Sequence, residues 1–129
     1  MIHVLVVTHG NMAEGMKNSV KMLTGEFECV DFVTFAEDMG VDELKEELDK
    51  KIVDISEENQ YLIMCDIKGG TPFNVASRYS YKNDNVSVFY GVNLPILIET
   101  VVGCDGQKLK AFTEYLQEIS AETLGVSEI

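Results

Sequence analysis

Basic residues are scarce in this sequence. Ten Lys and Arg stand against 22 Asp and Glu over 129 residues, a formal net charge of −12. A surface of that sign repels phosphate backbones and anionic lipid, so the electrostatic footprint of a nucleic-acid binder is missing and no such partner is expected. The acidic excess favours solubility, and it also suits attraction of a basic protein partner. Long apolar runs are absent as well. The first, Ile2 to Val7, is short and interrupted by His3. Neither a signal peptide nor the roughly 20 apolar residues of a membrane span is present, and a soluble, cytoplasmic protein is expected. Cys29, Cys65 and Cys104 are odd in number and show no CxxC spacing, which speaks against zinc and for reduced thiols in apolar runs. GxGxxG, GxxxxGK[ST] and GxSxG are all missing, as is a His-rich ligand set. Nucleotide binding by the common phosphate loops, a serine-hydrolase elbow and a metal centre are therefore poorly supported, and no cofactor is expected.

What is present is an alternation. Ile2–Val7 reads as a strand buried on both faces, the kind found in parallel sheets. Met12, Met16, Val20 and Leu23 then recur at helical spacing until Gly25, with Met12, Met16 and Met22 expected as core or gap-filling residues. Val30–Phe35 is a second strand. Val41, Leu44, Leu48, Ile52 and Ile55 mark one face of a second helix. Tyr61–Cys65 is a third strand, followed by Gly69-Gly70 and a helix with Thr71 as N-cap and Pro72 at its first position. Val86–Tyr90, Pro95–Val102 and Leu109–Leu124 complete the pattern as strand, helix and helix. No linker or repeat interrupts it, so residues 1–129 are expected to form one α/β domain with a mainly parallel sheet of four strands and helices on both faces.

Ligands of such open sheets bind beyond the carboxyl ends of the strands, where strand order reverses. His9 follows the first strand and Asp66 the third, so adjacency of those strands would bring the two side chains together. A carboxylate accepting from Nδ1–H fixes the imidazole tautomer, frees Nε2 to act as nucleophile and stabilises positive charge on the ring. The group attacked is expected to be phosphoryl. Two helices begin at the same rim and offer N–H groups and partial positive charge to an anion. Gly69 and Gly70 permit close backbone approach, and Thr71 adds a hydroxyl. Taken singly, each feature has a plainer reading: a strand-end histidine that packs, an aspartate that caps a turn, a loop before a well-capped helix. Their conjunction favours chemistry. His3, at the other end of its strand, is read as structural.

Thr8-His9-Gly10, Asp66-Ile67-Lys68-Gly69-Gly70-Thr71-Pro72-Phe73-Asn74 and Gly91-Val92-Asn93-Leu94-Pro95, in that order, resemble the mannose-type (mannose/fructose/sorbose) enzyme IIA family of bacterial sugar phosphotransferase systems over nearly the whole chain. The resemblance implies that His9 takes a phosphoryl group at Nε2 from the phosphocarrier HPr and delivers it to an enzyme IIB, which phosphorylates the sugar carried by the membrane components IIC and IID. His9 would be the phosphoacceptor, Asp66 its orienting partner, and Gly69, Gly70 and Thr71 the phosphate loop, with no metal involved; Asn93 and Pro95 would shape the neighbouring loop. Some relatives continue into a fused IIB domain, whereas this sequence stops at Ile129, so IIB is expected on another polypeptide. Lys68 stands where relatives vary and would either tune partner choice or be merely solvated. The phosphotransfer subunit of a dihydroxyacetone kinase shares this chemistry, but GGTPFN and GVNLP favour the sugar-transport branch. A non-catalytic regulatory module of the same fold is the alternative of another class. The resemblance also implies a homodimer with an exchanged antiparallel strand. Gly125–Ile129 occupies that position, though its apolar residues match strand period only loosely. The all-round apolar helix Pro95–Val102 would provide further surface in need of cover.

Overall fold

The computed structural model describes residues 1–129. In chain order it contains β1 (Ile2–His9), α1 (Met12–Thr24), β2 (Val30–Phe35), α2 (Val41–Lys51), β3 (Gln60–Cys65), α3 (Thr71–Ser80), β4 (Val86–Phe89), α4 (Leu94–Gly103), α5 (Leu109–Ile119) and a 3₁₀ turn, Ser120–Thr123. The strands lie in the order β2-β1-β3-β4, every neighbouring pair parallel. The chain moves outward from β1 to β2, then crosses back over β1 to lay down β3 and β4. Strand order thus reverses between β1 and β3, the switch point of the flavodoxin-like doubly wound order.

The alternation of strand side chains divides the core in two. Ile2, Val4, Val6, Leu62 and Met64 face one side, where Val20 of α1, Ile96, Leu97 and Val101 of α4, and Leu109, Phe112 and Leu116 of α5 cover them. Leu5, Val7, Tyr61, Ile63 and Cys65 face the other, under Leu44 and Leu48 of α2 and Val75 and Ala76 of α3. Burial on both faces accounts for the near-continuous apolar reading of β1 and β3.

Several boundaries differ from the sequence pattern. β1 runs on to His9 because β2 stays paired with it through His9 opposite Phe35. α2 stops at Lys51: Tyr61 Oη accepts from Val53 N–H and donates to the Val53 carbonyl, at 3.1 and 2.6 Å, drawing the chain off the helix before Ile55. α5 ends at Ile119, where Ser120 Oγ and Thr123 Oγ1 donate to the carbonyls of Gln117 and Ser120 and tighten the backbone into the 3₁₀ turn. Leu124 is consequently exposed. On α1 Ala13 and Val20 are buried and Met16 packs half-buried beside them, which leaves Met12, Met22 and Leu23 exposed rather than in the core.

α4 contacts both α1 and α5, so its breadth of apolar surface is largely covered within the chain. Ile96, Leu97, Thr100 and Val101 are buried, and Val102 remains exposed. Gly125–Ile129 forms no strand, and Val126 and Ile129 are exposed. The three cysteines are free thiols. Cys65 and Cys104 are buried, and Cys29 Sγ lies 3.7 Å from Cys104 Sγ.

Candidate active site

Two adjacent strands ending at the same rim create the site. Val7 of β1 sits opposite Cys65 of β3, so His9 and Asp66 leave the sheet side by side. Asp66 Oδ2 lies 2.8 Å from His9 Nδ1 and accepts the His9 backbone N–H at 2.9 Å, while Oδ1 accepts Ile67 N–H at 3.0 Å. Burial opposes ionisation of Asp66, but donation from the His9 N–H, the His9 ring and the Ile67 N–H outweighs it and holds the carboxyl below the usual carboxylate range. A carboxylate that only accepts requires the proton on Nδ1, which leaves the lone pair of the neutral ring on Nε2. The imidazole is 41% exposed against 11% for Asp66, so the ring is open to solvent while the carboxylate on its Nδ1 side is shielded.

The ring is held on further sides. Phe35, at the end of β2, meets it edge-on with centroids 5.8 Å apart, and the Phe35 carbonyl accepts Gly10 N–H at 2.9 Å, fixing the turn after His9. Gly70 closes the slot: a Cβ there would lie 2.8 Å from His9 Cε1 and 3.1 Å from Ile67 Cγ1. Its backbone, φ −75° and ψ 171°, is one that any residue adopts, so the glycine is required by the ring and not by the chain. In Gly70→Ala the imidazole is therefore expected to swing off Asp66 with little change in fold. Loss of the Nδ1-protonated tautomer in ring ¹⁵N shifts, at unchanged far-UV circular dichroism, checks this; a wild-type tautomer ratio contradicts it.

The helices approach as the sequence implied, with one change. Gly70, not Thr71, is the N-cap of α3; Thr71 is the first helical residue and Pro72 the second. The reason is that the first intrahelical bond runs from Asn74 N–H to the Gly70 carbonyl, at 2.9 Å. Thr71 therefore lies within the first turn, at the helix end that favours anions. α1 is anchored from the strand: the buried Thr8 Oγ1 accepts Ala13 N–H at 2.8 Å, a task Asn11 at the N-cap does not perform. The Gly91-Val92-Asn93 segment supports Asp66 from behind. Gly91 N–H and Val92 N–H donate to the carbonyls of Asp66 and Cys65, each at 3.0 Å, and Asn93 caps α4 by accepting Ile96 N–H. The reading of the sequence gave Thr8, Phe35 and Asn74 no role of their own, although Thr8 and Asn74 stand in the motifs quoted above and Thr8 offers a hydroxyl within reach of a helix start. His3 lies at the far end of β1, stacked on Tyr61 and hydrogen-bonded to Asn59, as a structural residue would be. Lys68 rests over the Tyr90 ring, 5.4 Å from its centroid.

A half-exposed histidine hydrogen-bonded by an aspartate at the switch point of a doubly wound sheet, near the N-termini of two helices, defines a class of α/β protein with a polar site at the carboxyl rim of its strands. Residues 3–117 match the family model described as the PTS system fructose IIA component. The chain is 32% identical over 126 residues to the fructose-specific EIIA component of the Bacillus subtilis phosphotransferase system (PTS), covering 98% of this chain and 86% of that one. It is 33% identical over 104 residues to the mannose-specific EIIAB component of Escherichia coli K12, covering 81% of this chain and 32% of that longer protein. The crystal structure of a Streptococcus agalactiae phosphotransferase system component EIIA superposes with a TM-score of 0.88 at 27% identity, over 98% of this chain and 97% of that one. The chain belongs to the mannose/fructose/sorbose-type EIIA family and is thus a phosphotransferase-system component. No helix is long and apolar enough to cross a membrane.

Proposed function

We propose that residues 1–129 act as one phosphohistidine carrier unit of a sugar phosphotransferase system in the cytoplasm. Nε2 of His9 attacks the phosphoryl group on the histidine of phosphorylated HPr. The donor N–P bond breaks as the Nε2–P bond forms, and the Nδ1 proton stays on its hydrogen bond to Asp66. The reverse sequence, with an enzyme IIB as acceptor, discharges the carrier toward sugar uptake and phosphorylation by the membrane IIC and IID components. The observation that carries this reading is the 2.8 Å contact of Asp66 Oδ2 with His9 Nδ1, beside a ring open on its other edge. Backbone around Gly69 and Gly70, with Thr71, would hold the phosphoryl oxygens, since fixed dipoles in a pre-formed site stabilise developing charge without reorganisation. The relatives named above belong to sugar systems, which favours this branch over a dihydroxyacetone kinase subunit. Incubation with ³²P-labelled phospho-HPr tests the reading: stable label on the protein is expected, and its absence would leave a non-catalytic module.

The same reading includes a homodimer. β4 is an edge strand, and along its free side runs a groove of about 690 Å³ between Ser80 and the Thr113–Leu124 stretch. An open strand edge invites pairing with another chain, and Gly125–Ile129 is the segment offered for it. Sedimentation equilibrium at micromolar concentration is expected to give twice the single-chain mass of 14.4 kDa. Deleting residues after Leu124 is expected to weaken association; a monomer in the undeleted protein refutes the dimer, and an unchanged dimer after deletion refutes the exchange.

A further inference from the structure

Two of the three free thiols face each other toward the end of the sheet opposite His9. Cys29 closes the turn that leads into β2, and its carbonyl accepts Val4 N–H at 2.8 Å. Cys104 is the C-cap of α4, where its N–H donates to the Thr100 carbonyl at 3.0 Å. Across a sequence separation of 75 residues, the Cys104 S–H donates to Cys29 Sγ at 3.7 Å. The two sulfurs differ in access. Cys104 is buried, and burial, followed by the neighbouring Cys29, pushes its thiol up to about 12. Cys29 is half-buried, so it is the sulfur that a reagent from solution meets first. Cys65 belongs to the core on the other face of the sheet and has no thiol neighbour.

A disulfide holds its sulfurs at about 2.05 Å, so closing this pair requires both side chains to turn toward each other. Each cysteine stands where an element meets a loop, positions at which the backbone can follow. We infer that Cys29 and Cys104 form an oxidisable dithiol, a reversible modification site that hydrogen peroxide closes to a disulfide clamping the entry of β2 to the end of α4. The Cys29 sulfur attacks one peroxide oxygen. The O–O bond breaks, and the other oxygen takes the thiol proton and leaves as water, giving a sulfenic acid. The Cys104 sulfur then attacks Cys29 Sγ; the S–O bond breaks as the S–S bond forms, and the sulfenic oxygen leaves as a second water with the Cys104 proton. The two thiols lose two electrons and the peroxide gains two. Small thiols reverse the change by exchange, so in a reducing compartment the bridge is transient. The class of oxidant follows from the surroundings. Glu28 and Asp105, adjacent to the cysteines in the chain, are exposed and repel an anion such as oxidised glutathione, whereas peroxide is small and neutral. The chemistry is independent of the carrier function proposed above.

Exposure of the full chain to a moderate excess of hydrogen peroxide, with chelator present, is the test. Thiol titration after denaturation is expected to fall from three thiols to one, with the intact mass lower by two hydrogens. Peptide mapping is expected to join Cys29 to Cys104, and dithiothreitol to restore all three thiols. The oxidised protein is expected to melt about 5–15 °C higher, because a cross-link over a long sequence separation restricts the unfolded chain. In Cys104→Ser, peroxide is expected to leave a sulfenic acid on Cys29 that dimedone traps, with no rise in melting temperature. In Cys29→Ser, both remaining thiols are expected to survive. Three thiols surviving in the unsubstituted protein overturn the inference. So does a bridge between chains or to Cys65, or a Cys29 oxidised beyond the sulfenic stage beside an intact Cys104 thiol. A Cys29–Cys104 bridge that forms without raising the melting temperature overturns the clamp.

Discussion

No label from phosphorylated HPr is expected on His9→Ala, whereas His3→Ala is expected to label at the wild-type rate. The two histidines share one strand and differ in every respect that matters to a nucleophile. The His3 ring is stacked on Tyr61 with centroids 5.0 Å apart, and its Nε2 is occupied by Asn59. The His9 ring has Nδ1 on Asp66 and Nε2 without a protein partner. Among side chains near the rim, Cys65 is the other intrinsically strong nucleophile, but burial, and then the Asp66 charge, push its thiol up to about 12. It stays neutral and wholly buried at physiological pH, so it does not replace a missing imidazole. Digestion and mapping of the labelled protein decide the matter. Phosphate on any residue but His9, or label retained by His9→Ala, would overturn the assignment.

Much of this site was legible because its parts sit at strand ends, where the apolar run stops and a polar residue follows. The run Ile2–Val7 announced a strand, and the next residues were placed on the correct rim without knowledge of the fold. The pairing of His9 with Asp66 needed one further fact, that β1 and β3 are neighbours, which doubly wound orders supply. Contacts made across the third dimension were beyond the pattern. Phe35 reads as one more strand aromatic until β2 is laid against β1, and Gly70 reads as a point of close backbone approach to an anion until the ring is found beside it. Helix ends were misplaced wherever a side chain from a distant segment took over a backbone group, as Tyr61 does at Val53. The stripe on α1 was misread for a related reason. Met12, Met16, Val20 and Leu23 keep helical spacing, but the sheet selects the adjoining stripe through the small Ala13.

Asp66→Ala is expected to remain folded and to transfer phosphoryl about 10²–10⁴ times more slowly, the usual range for a positioned proton-controlling group. The fold should survive because the three donors released, two from His9 and one from Ile67, lie at a rim where water can replace the carboxylate. Rate should not survive, because the ring loses both its tautomer and the charge that stabilises it as Nε2 becomes bonded to phosphorus. The acid limb gives an independent check. The folded carboxyl of Asp66 titrates below its unfolded value of about 3.9, so its contribution to stability is complete above that pH and is lost as pH falls through the folded value. Asp66→Asn, uncharged throughout, is expected to lack that part of the acid destabilisation while showing lower stability than wild type near neutrality. Chemical denaturation from about pH 1.5 to 7 compares the two slopes. Parallel curves, together with wild-type transfer by Asp66→Ala, would reduce Asp66 to a turn residue and leave the orientation of His9 to Phe35 and Gly70 alone.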